Sequence, residues 1–141
     1  DAFCTDTPEE REAIIGKAGL MDMINKYLKK TKKSVIGDNM TEWDTKMLVA
    51  AAEKNDKVAL KTFKKIGVYL GEALVSTIRL LDIKTVIVGG GISQSYHFVY
   101  KPMKKVMMKN LTPYYTDKLD IKKATLGNNA GILGAAALCF R

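Results

Sequence analysis

The sequence predicts an α/β fold that is mostly helical, with two to three strands. Apolar residues in the N-terminal half recur at the three- and four-residue spacing of amphipathic helices. Two short strand candidates follow, Val86–Val88 and Asp120–Thr125, and a turn leads from each into another helical pattern. Strands that alternate with helices in this way are typical of a parallel sheet.

Two helices are predicted in the first part of the chain. The first begins at the capping box Thr7-Pro8-Glu9-Glu10, with proline at the first helical position, and its apolar stripe reaches Leu28. The second takes Thr41 as its cap, has acidic residues in its first turn, and ends near Asn55.

A long third helix is predicted from about Asp56 to Leu81. Its apolar stripe consists of Ala59, Phe63, Ile66, Leu70, Leu74 and Ile78. Gly67 and Gly71 lie on adjacent turns of this helix, so we expect another element to pack closely there.

The first strand candidate, Val86–Val88, runs directly into Gly89, Gly90 and Gly91. Its three β-branched residues in a row predict a strand buried on both faces, as in a parallel sheet. Consecutive glycines cost backbone entropy, so they indicate a sharp turn or the close approach of another group. At the carboxyl end of a strand in an open α/β sheet, that group is often a nucleotide.

The remainder of the chain is predicted to continue with helix, strand and helix. Ser93 or Ser95 can cap the helix after the glycines, and we expect Pro102 to split that helix in two. Asn128 can cap the helix that follows the second strand candidate. This last helix, Ala130–Phe140, is rich in glycine and alanine, so we expect it to pack tightly against another element.

Length and composition indicate one folded domain, or part of one. The 141 residues are 47% hydrophobic, which is enough for a core, and no apolar run approaches the length of a membrane span. The N-terminus has neither the basic region nor the apolar core of a secretion signal. Cys4 and Cys139 lie near opposite ends without a C-x-x-C pair, which favours a reduced cytoplasmic protein.

The formal net charge of +8 comes almost entirely from lysine, since the only arginines are Arg11, Arg79 and Arg141. Proteins that read a nucleic-acid sequence favour arginine forks, whereas lysines spread over helix faces are typical of a solvated surface. The sequence therefore predicts no nucleic-acid binding by this segment. A modest attraction for anionic ligands, including ATP, is expected in either case.

The signatures of common catalytic sites are absent from the sequence. There is no P-loop lysine motif, and Gln94 stands where the dinucleotide fingerprint requires its last glycine. His97 is the only histidine, so neither a zinc site nor a Ser-His-Asp triad is supported within the chain. The residues alone predict a nucleotide-binding α/β segment without visible catalytic machinery.

Two glycine motifs at their mutual spacing carry a resemblance to a known family. The first is Gly89-Gly90-Gly91-Ile92-Ser93, and the second runs from Ala124-Thr125-Leu126-Gly127-Asn128-Asn129 through Ala130-Gly131-Ile132-Leu133-Gly134. Together with the long helix, this order resembles the C-terminal half of the ROK family (repressors, open reading frames and sugar kinases). The resemblance implies part of a ribonuclease H-like, actin-like ATPase domain. It divides the chain into a helical lead-in, residues 1–40, and an adenosine-motif core, residues 41–141.

The resemblance also assigns a role to the first residue. Family members carry a zinc-binding cysteine segment followed by a sugar-contacting glutamate, and Asp1 stands where that glutamate is expected. Asp1 would then contact the substrate, Cys4 would not bind zinc, and the zinc ligands would lie outside this chain. The catalytic aspartate and most of the phosphate-binding loops would also precede it, so no catalytic residue and no metal ligand is expected here.

What the resemblance leaves in this chain is the adenosine loop of an ATP site. It assigns cofactor binding to Gly89, Gly90, Gly91, Ile92 and Ser93. The glycines leave room for the ribose and the α-phosphate, and exposed N–H groups can face the anion. A strand-to-helix turn without a ligand is the alternative. Gly127, Gly131 and Gly134 are instead expected to allow close helix packing, since the family's last helix packs against the other domain.

Three functions remain open from the sequence. The first is the ATP-binding half of a glucokinase-type sugar kinase that acts on glucose or a related hexose with ATP and Mg²⁺, although this segment alone would be inactive. The second is the effector-binding half of a transcriptional repressor of sugar metabolism, with a separate DNA-binding helix-turn-helix. The third is an inactive assembly module. A homo-oligomer is expected, because the family tends to form dimers.

Overall fold

A computed structural model describes residues 17–31, 33–37, 45–126 and 129–139. Its elements in chain order are α1 (Lys17–Leu28), α2 (Thr45–Glu53), α3 (Lys57–Leu81), β1 (Thr85–Val88), a 3₁₀ helix (Gly91–Ser95), α4 (Tyr96–Asn110), α5 (Pro113–Thr116), β2 (Asp120–Lys123) and α6 (Ala130–Leu138). The two strands pair in parallel, with Thr85 opposite Asp120 and Val88 opposite Lys123. The predicted α/β class, mostly helical with few strands, is confirmed.

Helix α3 is the central element, and its 25 residues carry both hydrophobic clusters of the described chain. Its N-terminal half packs with α1 and α2 around Phe63 and Ile24. Its C-terminal half packs with α4 and one face of the sheet around Ile78 and Met107. The predicted bounds of this helix are confirmed within one residue, because Asp56 is its cap rather than its first residue.

The predicted close packing at Gly67 and Gly71 is confirmed, and the partner is α4. A Cβ atom added to Gly67 would lie 2.6 Å from both Pro102 Cγ and the Val99 carbonyl oxygen. A Cβ atom added to Gly71 would lie 2.8 Å from the Met103 carbonyl oxygen. The two helix backbones therefore approach each other at a distance that only glycine permits.

The expectation that Pro102 splits its helix is wrong, since α4 runs unbroken from Tyr96 to Asn110. Proline removes one N–H from the helical ladder, but here its ring packs against Gly67, and this contact offsets the lost hydrogen bond. The predicted caps are also not observed. Ser95 precedes α4 without a capping bond from its side chain, and the Ser93 hydroxyl donates back to the Gly90 carbonyl.

The prediction that the first strand is buried on both faces is wrong for the described part of the chain. Val86 and Val88 pack against the second hydrophobic cluster, whereas the side chain of Ile87 points away from it and is 66% exposed. Successive side chains in a strand alternate between faces, and the described helices cover only one face. A run of β-branched residues occurs in strands that are buried on one face as well as in strands that are buried on both. The run therefore does not show how many faces of the strand are buried.

Helix α6 is exposed along its whole length in the described structure, and a Cβ atom added to Gly131 or Gly134 would meet nothing within 4 Å. The packing partner expected for this helix is therefore not among the described residues. Gly127 and the proposed cap Asn128 lie outside the described ranges, as do the predicted helix starts at Thr7 and Thr41. No described helix combines the length and the apolar character needed to cross a membrane.

Asp56 joins the first loop of the described chain to α3. One carboxylate oxygen accepts the Val58 and Ala59 N–H groups at 2.8 and 3.0 Å, and the other accepts the Val35 N–H at 2.7 Å. Burial by itself would raise the pKa of Asp56, but hydrogen bonds from Ala59, Val35, Ser34 and Val58 together outweigh it and lower the pKa. The carboxylate therefore stabilises the fold only while it is ionised.

We expect Gly67→Ala to lower the free energy of unfolding by about 2 kcal/mol. The new methyl group would lie 2.6 Å from the Val99 carbonyl oxygen, which is backbone and can move only if α4 moves. This loss opposes the gain of about 1 kcal/mol that alanine brings to a helix interior. Urea unfolding followed by circular dichroism measures the difference. Ser76→Ala, on the exposed side of the same helix, is the control, and a Gly67→Ala variant as stable as the wild type would contradict the close packing.

We expect Asp56→Ala to cost about 2 kcal/mol of stability at neutral pH, because the helix cap and the bond to the loop are both lost. The pKa of Asp56 is lower in the folded state, so its contribution is present above the unfolded pKa of about 3.9 and disappears as the pH falls through the folded value. The stability gap between wild type and variant should therefore narrow on acidification. Urea unfolding at a series of pH values tests this, with Asp22→Ala at an exposed position of α1 as the control. A gap of constant size down to about pH 2 would contradict the assignment.

Candidate functional site

The candidate site lies where the two parallel strands end. The Val88 carbonyl accepts the Ala124 N–H at 2.9 Å, so the chain leaves both strands at one edge of the sheet. A Cβ atom added to Gly89 would lie 3.3 Å from the Ala124 Cβ atom. Small residues at both positions allow the two exits to lie side by side. Sequence reasoning placed Ala124 inside the second strand candidate, Asp120–Thr125, whereas the observed strand ends at Lys123, and it assigned Ala124 no role at this turn.

Gly90 makes the sharp turn that follows β1. Its backbone has φ +69° and ψ −158°, a conformation that residues with a side chain adopt only under strain. The Gly90 carbonyl accepts two hydrogen bonds from Ser93, from the N–H at 3.0 Å and from the hydroxyl at 2.7 Å. These bonds close the turn and begin the 3₁₀ helix, which continues directly into α4.

The outer side of this turn is open. Gly89 and Gly90 are exposed, and a Cβ atom added to Gly90 would meet nothing within 4 Å. A ligand can therefore approach the backbone here without meeting a side chain. An open glycine turn at the carboxyl edge of a parallel sheet is a position where α/β proteins often bind ligands.

Of the residues predicted to bind a cofactor, the structure brings Gly89, Gly90 and Ser93 together in one turn. Gly91 and Ile92 form the first part of the 3₁₀ helix. Ser93 is only 5% exposed, and its hydroxyl holds the turn closed. Its contribution to a site is therefore to shape the loop. Asp1, predicted to contact a sugar, lies outside the described residues.

The edge of the sheet beside the turn carries charged side chains. Lys122 forms an ion pair with Asp120 at 2.7 Å, and this hydrogen bond raises the pKa of Lys122. Lys123 lies opposite Val88 in the strand register, next to the start of the turn. Burial raises the pKa of Tyr96 in the first turn of α4, and Tyr100 and Asp120 add to that effect. The Tyr96 phenol is therefore neutral at physiological pH, and the charge at this edge comes from strand β2.

The described part of the chain offers little chemistry beyond binding at this turn. No three histidine, cysteine, aspartate or glutamate side chains among the described residues come together as a metal site. The His97 side chain is exposed, and its ring lies 3.9 Å from the ring of Phe98. The turn itself contains no titratable side chain, so it can hold a ligand by shape and backbone groups but cannot transfer a proton.

Solved structures share this architecture. A protein assigned as a sugar kinase from Cytophaga hutchinsonii matches all of the chain with a TM-score of 0.84 and 33% identity, and the match covers 48% of that protein. The ROK family glucokinase from Streptomyces griseus, solved with glucose and AMPPNP, has a TM-score of 0.76 and 24% identity over 91% of the chain and 43% of its own length. A ROK family transcriptional regulator, a homologue of the E. coli MLC protein, has a TM-score of 0.73 and 20% identity. The match covers 87% of the chain and 32% of the length of that regulator. The predicted fold, a partial ribonuclease H-like, actin-like ATPase domain, is confirmed.

Sequence comparison leads to the same group of proteins. A glucokinase from Halalkalibacterium halodurans is 32% identical over 93 residues, which are 66% of the chain and 28% of that glucokinase. A glucokinase from Thermotoga maritima is 25% identical over 130 residues, which are 90% of the chain and 41% of that glucokinase. The chain thus spans less than half the length of the curated relatives that it matches. The profile of the ROK family matches residues 11–141, nearly the whole chain. The chain therefore belongs to the ROK family.

Proposed function

We propose that this chain is the nucleotide-binding C-terminal portion of a sugar kinase. In the intact protein, the reaction is transfer of the γ-phosphoryl group of ATP to glucose or a related hexose. The observation that carries the proposal is the open turn at Gly90, with φ +69°, at the carboxyl edge of a strand in a ROK family chain. The glucokinase from Streptomyces griseus was solved with glucose and AMPPNP, which supports a sugar and a nucleotide as ligands here.

The turn suits the adenosine end of ATP. Gly89 and Gly90 have no side chains, so the ribose and the α-phosphate can approach the backbone closely. Gly91 and Ile92 contribute their backbone at the start of the 3₁₀ helix. Ser93 keeps the turn in shape through its two hydrogen bonds to the Gly90 carbonyl. The proposed role of this loop is to bind and orient the nucleotide.

The reacting end of ATP would be held by residues that precede this chain. The catalytic aspartate, which accepts the proton of the sugar hydroxyl, belongs to that preceding part. When bound, Mg²⁺ would neutralise charge on the phosphates. Among the described residues, no three histidine, cysteine, aspartate or glutamate side chains come together as metal ligands. Asp1 is proposed to contact the sugar from the position that the family gives to a glutamate.

A second candidate function is the effector-binding half of a transcriptional repressor. The observation that favours it is the fold shared with the ROK family transcriptional regulator, at a TM-score of 0.73. A repressor would bind its sugar effector with the same fold and would contact DNA through a separate helix-turn-helix. A measured phosphoryl transfer separates the two functions, because only the kinase needs the catalytic aspartate.

Helix α6 supports the view that this chain acts together with another part of the protein. Its apolar side chains are open to solvent, with Ile132 71% and Leu138 70% exposed. Burying such a helix against the preceding domain would remove a large apolar surface from water. We therefore keep the division into a lead-in, residues 1–40, and a nucleotide-binding core, residues 41–141. A cytoplasmic homo-oligomer remains the proposed state of the intact protein.

We expect Gly90→Val to weaken ADP binding about tenfold or more, since the strain of a side chain at this φ is about 1–3 kcal/mol and the valine would stand where the ribose approaches. Calorimetric titration of the full-length protein with ADP measures the change. Gly37→Val is a matched control, because Gly37 also has a positive φ, +88°, with nothing within 4 Å of an added Cβ atom. If both variants bind ADP as the wild type does, the turn is not the nucleotide site.

We expect the full-length protein to release ADP in a glucose-dependent manner, and the 141-residue chain alone to show no such activity. The general base and most phosphate ligands are assigned to the preceding part. A coupled ADP assay with glucose and several other hexoses measures both proteins. Activity of the isolated chain at an ordinary kinase rate would contradict the assignment. Glucose binding by the full-length protein without any phosphoryl transfer would favour the repressor.

A further inference from the structure

An open groove lies at the N-terminal end of α3, where α2 leads into it. It has a volume of about 770 Å³, and its lining includes Thr31, Lys33, Lys54, Asn55, Asp56 and Lys57. The volume is within the range of small-molecule sites. The described lining residues include none of the glycine turn, residues 89–93, although the 3₁₀ helix that follows this turn contacts α2, the helix next to the groove.

The groove is positively charged. Lys33, Lys54 and Lys57 are all exposed, and none of these three forms an ion pair within the described part of the chain. The carboxylate in the lining, Asp56, is only 6% exposed, and both of its oxygens already accept backbone N–H groups. Among the described lining residues there are thus three lysines and one carboxylate, and that carboxylate is already hydrogen-bonded within the fold. A cleft lined by charge of one sign concentrates counter-ions more strongly than a flat surface does.

The walls of the groove are held in a fixed relation to each other. Asp56 belongs to the turn before α3, yet it accepts the Val35 N–H at 2.7 Å from the loop that carries Lys33. The same carboxylate caps α3, which carries Lys57 in its first turn. The lysines therefore come from separate segments that one buried side chain ties together. This distinguishes the groove from the exposed lysines that are spread along α4.

We propose that this groove binds a small anion that carries two or more phosphate groups. A lysine ammonium is a compact cation that pairs well with phosphate oxygens. Three such cations suit a ligand with several phosphate groups better than a ligand with a single carboxylate. The described lining residues include no aromatic side chain, so none of them can stack on nucleic-acid bases. This favours a phosphorylated small molecule over DNA or RNA. The proposal does not depend on the proposed kinase activity.

Inorganic tripolyphosphate is the probe, and the test is a calorimetric titration of the full-length protein. The lysine variants show which part of the binding signal comes from the groove. We expect one saturable binding event in the wild type. The affinity for tripolyphosphate should fall about tenfold or more in the triple variant Lys33→Gln/Lys54→Gln/Lys57→Gln, because three charge-assisted contacts are lost together. Each single substitution should weaken it about two- to threefold, which keeps the test open if the triple variant folds poorly.

The matched control is Lys101→Gln/Lys105→Gln/Lys109→Gln, which removes the same charge from exposed positions on α4 outside the groove. We expect this variant to bind tripolyphosphate within about twofold of the wild type. Equal weakening in both triple variants would overturn the proposal, since the attraction would then come from net charge alone. Absence of saturable binding to the wild type would also overturn it. Tighter binding of a single-stranded oligonucleotide than of tripolyphosphate, lost with the groove lysines, would make the groove a nucleic-acid surface instead.

Discussion

The contact between the backbones of α3 and α4 is the constraint on which the rest of the structure depends. Gly67 and Gly71 allow the two helices to meet without side chains between them. Because α4 continues from the 3₁₀ helix, fixing α4 also fixes where the chain emerges from β1. The stacked rings of Phe63 and Phe98, 5.3 Å apart, extend the same contact toward the N-terminal end of α3. Position and direction of the glycine turn are thus set by a helix pair rather than by the sheet.

Burial in this chain is uneven, and the pattern follows from α3. One side of that helix collects α1 and α2, and the other collects α4 and a single face of the sheet. The opposite face of the sheet and all of α6 remain in contact with solvent. A two-stranded sheet is a weak structure by itself, so here it is the helices that give the strands their place. Ile87 on that face and Ile132 and Leu138 on α6 are among the most exposed apolar side chains of the described residues.

The features that could be predicted from the sequence are those that local chemistry decides. The apolar period of α3, the paired glycines within it and the glycine turn after β1 are all visible in short stretches of sequence. Pro102 was misjudged because its lost hydrogen bond is offset by a contact with Gly67, which lies far away along the chain. The exposed face of β1 was missed because β-branched residues report strand formation and not how many layers cover the strand. The lysine groove could not be foreseen, since the segment that carries Lys33 meets the segment of residues 54–57 only after folding.

The way in which the Gly90 turn is closed has a consequence for the entropy of association. Glycine loses more backbone freedom than any other residue when it is ordered, but here the two bonds from Ser93 impose that loss during folding. The glycines also carry no rotamers that a ligand would have to immobilise, a loss of about 0.5–1.5 kcal/mol for each flexible side chain. A ligand that binds at this turn would therefore cause little further loss of conformational entropy in the protein. Loosening the Ser93 bonds would consequently weaken binding without removing any atom that touches the ligand.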